Sequence, residues 1–228
     1  MPGPADARLV GLLDSSSLTD RMTISMYQVS MLVAKVRAAA SSAADNLPLE
    51  DFLHTFAEIE RQHVQWEQDA MVLIGYQKMA WPEKATGSHL SIYSCYHIYP
   101  GIWSTGIWNK HRAARIILHQ TFLEVFSSTM VGGACNSKSR DWSAISLSII
   151  QNMIKDILAS IPFSLGDVPT SDTTGPPMSI GGYFLVWVLR VVIRCTFAST
   201  EQKYAARSIL LRIGRLCGIS YATVIARN

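Results

Sequence analysis

Charge is scarce in this chain. Asp, Glu, Lys and Arg make up 16% of its 228 residues, against about 25% in an average soluble domain. Hydrophobic residues reach 49%, so much of the surface is neutral, and a self-association face or a large internal pocket is expected. The formal charge of +3 is small and dispersed, which gives no electrostatic footprint for direct nucleic-acid contact. Cysteine is sparse too. The four cysteines, Cys95, Cys135, Cys195 and Cys217, form no C-x-x-C pair, which argues against a structural zinc site or any other metal centre. The opening MPGPADARLVGLLD lacks an apolar stretch behind a basic start. No secretory signal is read there, and reduced thiols in an intracellular compartment, cytoplasmic or nuclear, are expected. A phosphate loop, a dinucleotide fingerprint and a G-x-S-x-G are all missing. Nucleotide, redox and serine-hydrolase chemistry therefore lose their usual warrants, no cofactor is expected, and the catalytic residues, if there are any, are unknown.

Period-two alternation is also missing, and helical periodicity replaces it. Residues 1–17 read as a flexible N-terminal tail and 18–228 as a single helical domain. The apolar positions Met22, Met26, Val29, Val33 and Val36 recur at three and four and predict a helix from about Thr19 to Ala44. Glu50 and Asp51 open the next, about Leu49–Met71. Trp81 to Ser88 reads as a loop, and 89–100, HLSIYSCYHIYP, as an irregular aromatic segment or a short helix. A long helix is expected over Ile102–Val131, ending at Gly132-Gly133. Another is expected over Asp141–Ser160, with Trp142, Ile145, Ile149, Met153 and Ile157 on one face and Pro162 as its stop. Residues 163–179 form a loop. Ser199 or Thr200 caps a helix that ends at Gly218, and Ile219–Ala226 closes the chain. The fold class is all-α, a single-domain bundle of about six to eight helices.

Ile180–Phe197 has roughly the length of a membrane span. Arg190 and Arg194 lie inside it, four apart and on one face, where a bilayer would penalise them. It reads as a helix buried in protein with an arginine edge at solvent, a partner acid or a ligand, and no membrane span is expected.

Chemistry-bearing groups are few. Glu60 and His63 form an E-x-x-H, but di-iron bundles need two such motifs; a solvated helix face is the simpler reading. His54 with Glu58, and His63 with Glu67, are i,i+4 pairs that read as surface pairs, with acid–base work as the alternative. Lys110, His111, Arg112, Arg115 and His119 crowd one helix. Pairing with acids on a neighbouring helix is the plainer account, and recognition of a ligand carboxylate or phosphate the more specific one. Tyr183, Trp187, Arg190 and Arg194 form a stripe that reads as plain core or as a stacking surface for a planar or polyene ligand.

The segment YPGIWSTGIWNKHRAARIILHQTFLEVF carries tyrosine followed by WN-x-x-R-x-x-R-I-x-x-H, with Trp108, Asn109, Arg112, Arg115 and His119 in the marked places. It resembles the helix of the fungal-specific transcription factor domain, the helical region downstream of a zinc–six-cysteine DNA-binding cluster. Three further pieces are similar in order: IIQNMIKDILASIPFSLG, GGYFLVWVLRVVIRCTFAS and ILLRIGRLCGISYATVIA. The likeness spans roughly residues 50–226. Two departures stand out: no cysteine-rich module precedes the domain, so DNA reading is not expected, and the family's proline after the apolar-helix tryptophan is replaced by Val188-Leu189-Arg190. The family offers no catalytic residues to carry over.

Two functions follow as expectations, with a structural oligomer that binds no ligand as a third possibility. One is a stand-alone helical domain that binds an apolar small molecule and acts as a cofactor-free cyclase or isomerase of fungal secondary metabolism. Such chemistry needs only a shaped cavity and a well-placed donor, and the candidates for that pocket are Arg115, His119, Tyr183, Trp187 and Arg190. The other is a regulatory protein that binds an effector or dimerises, as a homodimer or with full-length relatives.

Overall fold

The structure, a computed structural model, describes residues 13–41, 48–81, 95–130, 137–168 and 178–227. Most of the expected tail, the 82–88 part of the first loop, Gly132-Gly133 and residues 169–177 of the later loop lie outside them. Among the described residues 82% are helical, in seven helices: α1 (Leu18–Ser41), α2 (Leu49–Ile74), α3 (Ile102–Met130), α4 (Ser137–Ser164), α5 (Met178–Arg194), α6 (Thr200–Leu216) and α7 (Ser220–Arg227). The protein is an all-α helical bundle.

One small sheet interrupts the helices. β1 (Gln77–Ala80) pairs antiparallel with β2 (Cys95–Ile98), Lys78 opposite His97. The aromatic run 89–100 therefore contains a strand and no helix across its described part. A strand of four residues is too short for alternation to separate it from a loop.

Two compact units are present. The first comprises residues up to Val72 and Ala114–Ile150, the second Leu73–Ala113 and Gln151 onward, so α3 and α4 contribute a segment to each. In the first unit, α1 and α2 are tied by Trp66, whose indole N–H donates to the Leu18 carbonyl at 2.8 Å, and by Arg21, which donates to Asp69 at 2.6 Å. Phe52, Phe56 and Phe122 pack ring against ring at centroid distances of 4.6 to 6.4 Å, Phe52 stacked on both others and Phe56 tilted on Phe122 by 30°, and form its apolar centre.

In the second unit α5 buries Leu185, Val188, Leu189 and Val192, the i, i+3, i+4, i+7 face of an amphipathic helix. It packs on α6, and α6 on α7. Glycines let these backbones approach. A Cβ on Gly181 would meet the Ser164 carbonyl oxygen at 1.8 Å, and one on Gly214 the Thr223 hydroxyl at 2.1 Å. Ser199 caps α6 in a capping box with Gln202, one of the two caps expected.

α4 does not stop at Pro162. It runs to Ser164 with the proline inside its last turn. The chain then turns at Gly166, whose φ of +71° is the left-handed conformation that ends helices. Leu165 and Asp167 bond back to the carbonyls of Ile161 and Pro162 at 2.9 and 2.7 Å. The face of α4 is also rotated from expectation. Ser146, Ile150, Met153, Ile154 and Ile157 are buried, while Trp142 and Ile145 are exposed. The span Asp141–Ser164 is long and apolar enough to cross a membrane, and half of its apolar window is buried inside the protein.

Candidate functional site

Three groupings of polar side chains are built by these elements. The first lies within the first unit and centres on Glu60 of α2. Arg115 of α3 reaches it with both Nε, at 3.3 Å, and Nη2, and reaches Glu67, about two turns on, with Nη1 at 2.9 Å. His119, one turn after Arg115, places Nε2 at 3.2 Å from Glu60 Oε2 and Nδ1 at 3.1 Å from the Ser146 hydroxyl. Its ring stands edge-on to Phe56 at 5.3 Å. Burial pushes the Glu60 carboxyl up, but His119 and Arg115 outweigh it and hold it below its usual value. Arg115 and His119 are therefore engaged in helix–helix pairing. The sequence pattern contained Arg115 and His119 but not their acid, because Glu60 reads there as half of an E-x-x-H. The other half, His63, is buried and bonds to the Ser25 hydroxyl at 2.9 Å. This corrects the solvated-face reading. Among the described residues no three His, Cys, Asp or Glu side chains gather as metal ligands.

The second grouping lies within the second unit and centres on Arg112 of α3, which is fully buried. Its Nη1 donates to the Tyr99 hydroxyl at 2.6 Å and to Asn109 Oδ1 at 2.9 Å. Its guanidinium lies 4.9 Å from the Tyr76 ring centre, 5.5 Å from Trp108 and 5.8 Å from Tyr99. Burial alone would lower its pKa, but Tyr99, Tyr76 and Asp156 outweigh that and hold the guanidinium charged. His97 Nδ1 sits 3.2 Å from the Tyr99 hydroxyl. Burial, reinforced by Arg112, lowers the His97 pKa to about 3, so the ring is neutral, and in the tautomer with its proton on Nε2 it accepts from the Tyr99 hydroxyl at Nδ1. Its 3.7 Å approach to Asp156 is accordingly a contact with a neutral imidazole rather than an ion pair at neutral pH. Trp108 donates to the Ile74 carbonyl at 2.9 Å, and Asn109 to the Ser160 hydroxyl at 2.8 Å. Every marked residue of the WN-x-x-R-x-x-R-I-x-x-H helix is thus spent on internal contacts.

The third grouping is a surface. Tyr183, Trp187 and Arg190, three of the expected pocket residues, project from one side of α5, with Arg194 a turn beyond. Tyr183 is 69% and Trp187 37% exposed, so the stripe is not core. Arg190 leans toward the Tyr221 hydroxyl of α7 at 3.4 Å. Phe184 fills the space beside Gly106 and carries Trp103 against it at 5.1 Å, tilted by 56°. A separate open hollow of about 390 Å³ on α6 is lined by Ser208, Leu211, Arg212, Arg215 and Leu216. Arg212 is held there in a fork by Asp167, one arm at 2.6 Å. Of the five candidates, Arg115 and His119 are gathered around Glu60 in the first unit, and Tyr183, Trp187 and Arg190 share the α5 face of the second.

No family model matches the chain, and neither the curated proteins nor the solved structures give a match to it.

Proposed function

We propose that the protein works by binding rather than by bond-making: a helical interaction domain of the regulatory kind, related to the fungal-specific transcription factor domain, that receives a macromolecular partner on the exposed face of α5. The observation that carries this reading is the split in the polar inventory. The groups best suited to catalysis, Arg115, His119 and Glu60, satisfy one another in the interior. Tyr183 and Trp187 of α5 stand at the surface, one turn apart. Exposed contiguous aromatics over a filled base are the usual anatomy of a docking surface. An intracellular setting, cytoplasmic or nuclear, goes with this role.

A second reading keeps the same face and changes its ligand. Tyr183, Trp187 and Arg190 combine ring surface with a hydrogen-bond donor, the pairing that a cofactor-free cyclase or isomerase would hold against an apolar polyene.

One experiment separates the two. A photo-crosslinking residue is placed at position 183, the protein is incubated with extract of its native host, and the small-molecule fraction is followed by mass spectrometry. The docking reading expects a reproducible protein adduct and no new isomer. Conversion of a polyene or terpenoid to a product of unchanged mass, lost in Trp187→Ala, would overturn it in favour of the cyclase.

A further inference from the structure

The charge of this chain is unevenly placed. Residues 178–228, the stretch of α5, α6 and α7, contain seven Lys and Arg and a single acid, Glu201, a net of +6. The preceding 177 residues contain 13 basic and 16 acidic residues, a net of −3. The small total conceals a basic C-terminal part; Asp167 neutralises its Arg212, and Arg190 and Arg194 are the members that lie on α5.

The exposed stripe of α5 orders this charge along the helix. Ile180, Tyr183 and Trp187 occupy its first three turns, and Arg190 and Arg194 its last two. At about 1.5 Å per residue the stripe is roughly 21 Å long. α5 contains no acid, and among the described residues neither arginine has a carboxylate within 4 Å. Tyr221 is the group set against Arg190.

Resting on the docking reading above, we infer that the partner of this face is an acidic amphipathic helix of another protein. Its apolar residues would lie on Tyr183 and Trp187, and two carboxylates one turn apart would face Arg190 and Arg194. Helix-on-helix recognition of this kind uses apolar anchors at i, i+3, i+4 and i+7, the spacing of the α5 stripe itself. Electrostatic complementarity then fixes its direction. A second copy of this chain docked through the same stripe fits less well, because in either direction α5 offers no acid to the arginines of its counterpart. Single-stranded nucleic acid also fits less well. Single-strand binding combines stacking rings with a basic groove that tracks the backbone, whereas the arginines of α5 stand at one end of the stripe, beyond its aromatic residues.

The test uses the full chain and three synthetic 20-residue amphipathic helices that share one apolar face. The first carries two Glu one turn apart at the end that meets the arginines, the second Gln, and the third Lys. Binding is read by fluorescence anisotropy at low and high salt. The Glu peptide is expected to bind roughly five- to tenfold more tightly than the Gln peptide at low salt, as two exposed ion pairs allow, and to lose that margin at high salt. In Arg190→Glu/Arg194→Glu, whose fold is checked by circular dichroism, the order should invert so that the Lys peptide binds best. Equal binding of the three peptides, or failure of the order to invert, overturns the acidic partner. So does tighter binding to anionic phospholipid vesicles or to oligouridine, or a dimer of this chain that buries Trp187. If none of the peptides binds while position 183 still crosslinks a protein, the acidic partner fails and the docking face stands. If crosslinking fails as well, both fall.

Discussion

Arg112 and Tyr99 are joined by a 2.6 Å hydrogen bond between fully buried groups, the guanidinium of α3 donating to the phenol that follows β2. The phenol has a second neighbour, the neutral His97 ring, which can accept its proton. Tyr99→Phe removes the acceptor without opening a cavity. It is expected to cost about 1–3 kcal/mol, the penalty for stranding a buried charged donor. Urea unfolding measures the loss, and Arg112→Met in the Tyr99→Phe background should recover part of it, because a buried ion is worse unpaired than absent. An unchanged midpoint in Tyr99→Phe would show that Asn109 alone suffices for Arg112.

Glu60 is the matching hub of the first unit. Its side chain is 18% exposed and that of its partner Arg115 only 7%. Glu60→Ala leaves Arg115 with Glu67 as its remaining acid, so the loss should lie near the lower end of the range for breaking a buried pair, about 3 kcal/mol. The double variant Glu60→Met/Arg115→Met should lose less than Glu60→Ala alone. A double variant that loses the sum of the two singles would mean that the pair is more than a mutual neutralisation.

The helices were legible because their apolar residues repeat at three and four: α2 starts at Leu49 and α3 at Ile102, as the pattern indicates. What failed were signals whose meaning depends on a distant partner. Pro162 reads as a stop, yet in the last turn its missing N–H costs one bond and the helix runs on to Ser164, with the chain turning at Gly166. Trp142 and Ile145 fit the apolar face of α4 by spacing, but Ser146 is the buried residue because His119 needs its hydroxyl. The pairing of Arg115 and His119 with an acid was foreseeable from their crowding on one helix; the identity of that acid was not. The α5 stripe was visible as residues and invisible as a surface, because periodicity gives a face and not the side on which solvent lies.

Two buried histidines set the acid response. Burial lowers the His63 pKa to about 3, and burial with Arg112 does the same to His97, against about 6.5 in an unfolded chain. Between about pH 3 and 6.5 the unfolded chain therefore holds more protons than the folded one. Stability is full above about pH 6.5 and falls as the pH drops, by about 1.4 kcal/mol per pH unit for each ring. Urea midpoints at about pH 7.5, 6 and 5 should decline well before ordinary carboxylates begin to titrate. His63→Gln should roughly halve the slope, and a midpoint that stays flat to pH 5 would contradict the neutral buried rings.

Gly181 tests how rigidly α5 is seated. Its absent side chain makes room for the Ser164 carbonyl, which would lie 1.8 Å from any Cβ placed there, and the obstruction is backbone rather than a flexible side-chain tip. Gly181→Ala must therefore displace α5 or unwind the end of α4, and overpacking of this kind costs about 1–3 kcal/mol, with the upper end expected here. Gly101→Ala is the control, since a Cβ there meets nothing within 4 Å; it should change stability by less than about 1 kcal/mol. The two variants are compared by thermal unfolding and by tryptophan emission, each against its Trp187→Phe counterpart so that the difference reports Trp187, which rides on the same helix. Displacement of α5 should alter that emission in Gly181→Ala alone. Equal stability and equal emission in the two would mean that α5 is seated loosely enough to yield, and the fixed spacing of Tyr183, Trp187, Arg190 and Arg194 would lose its physical basis.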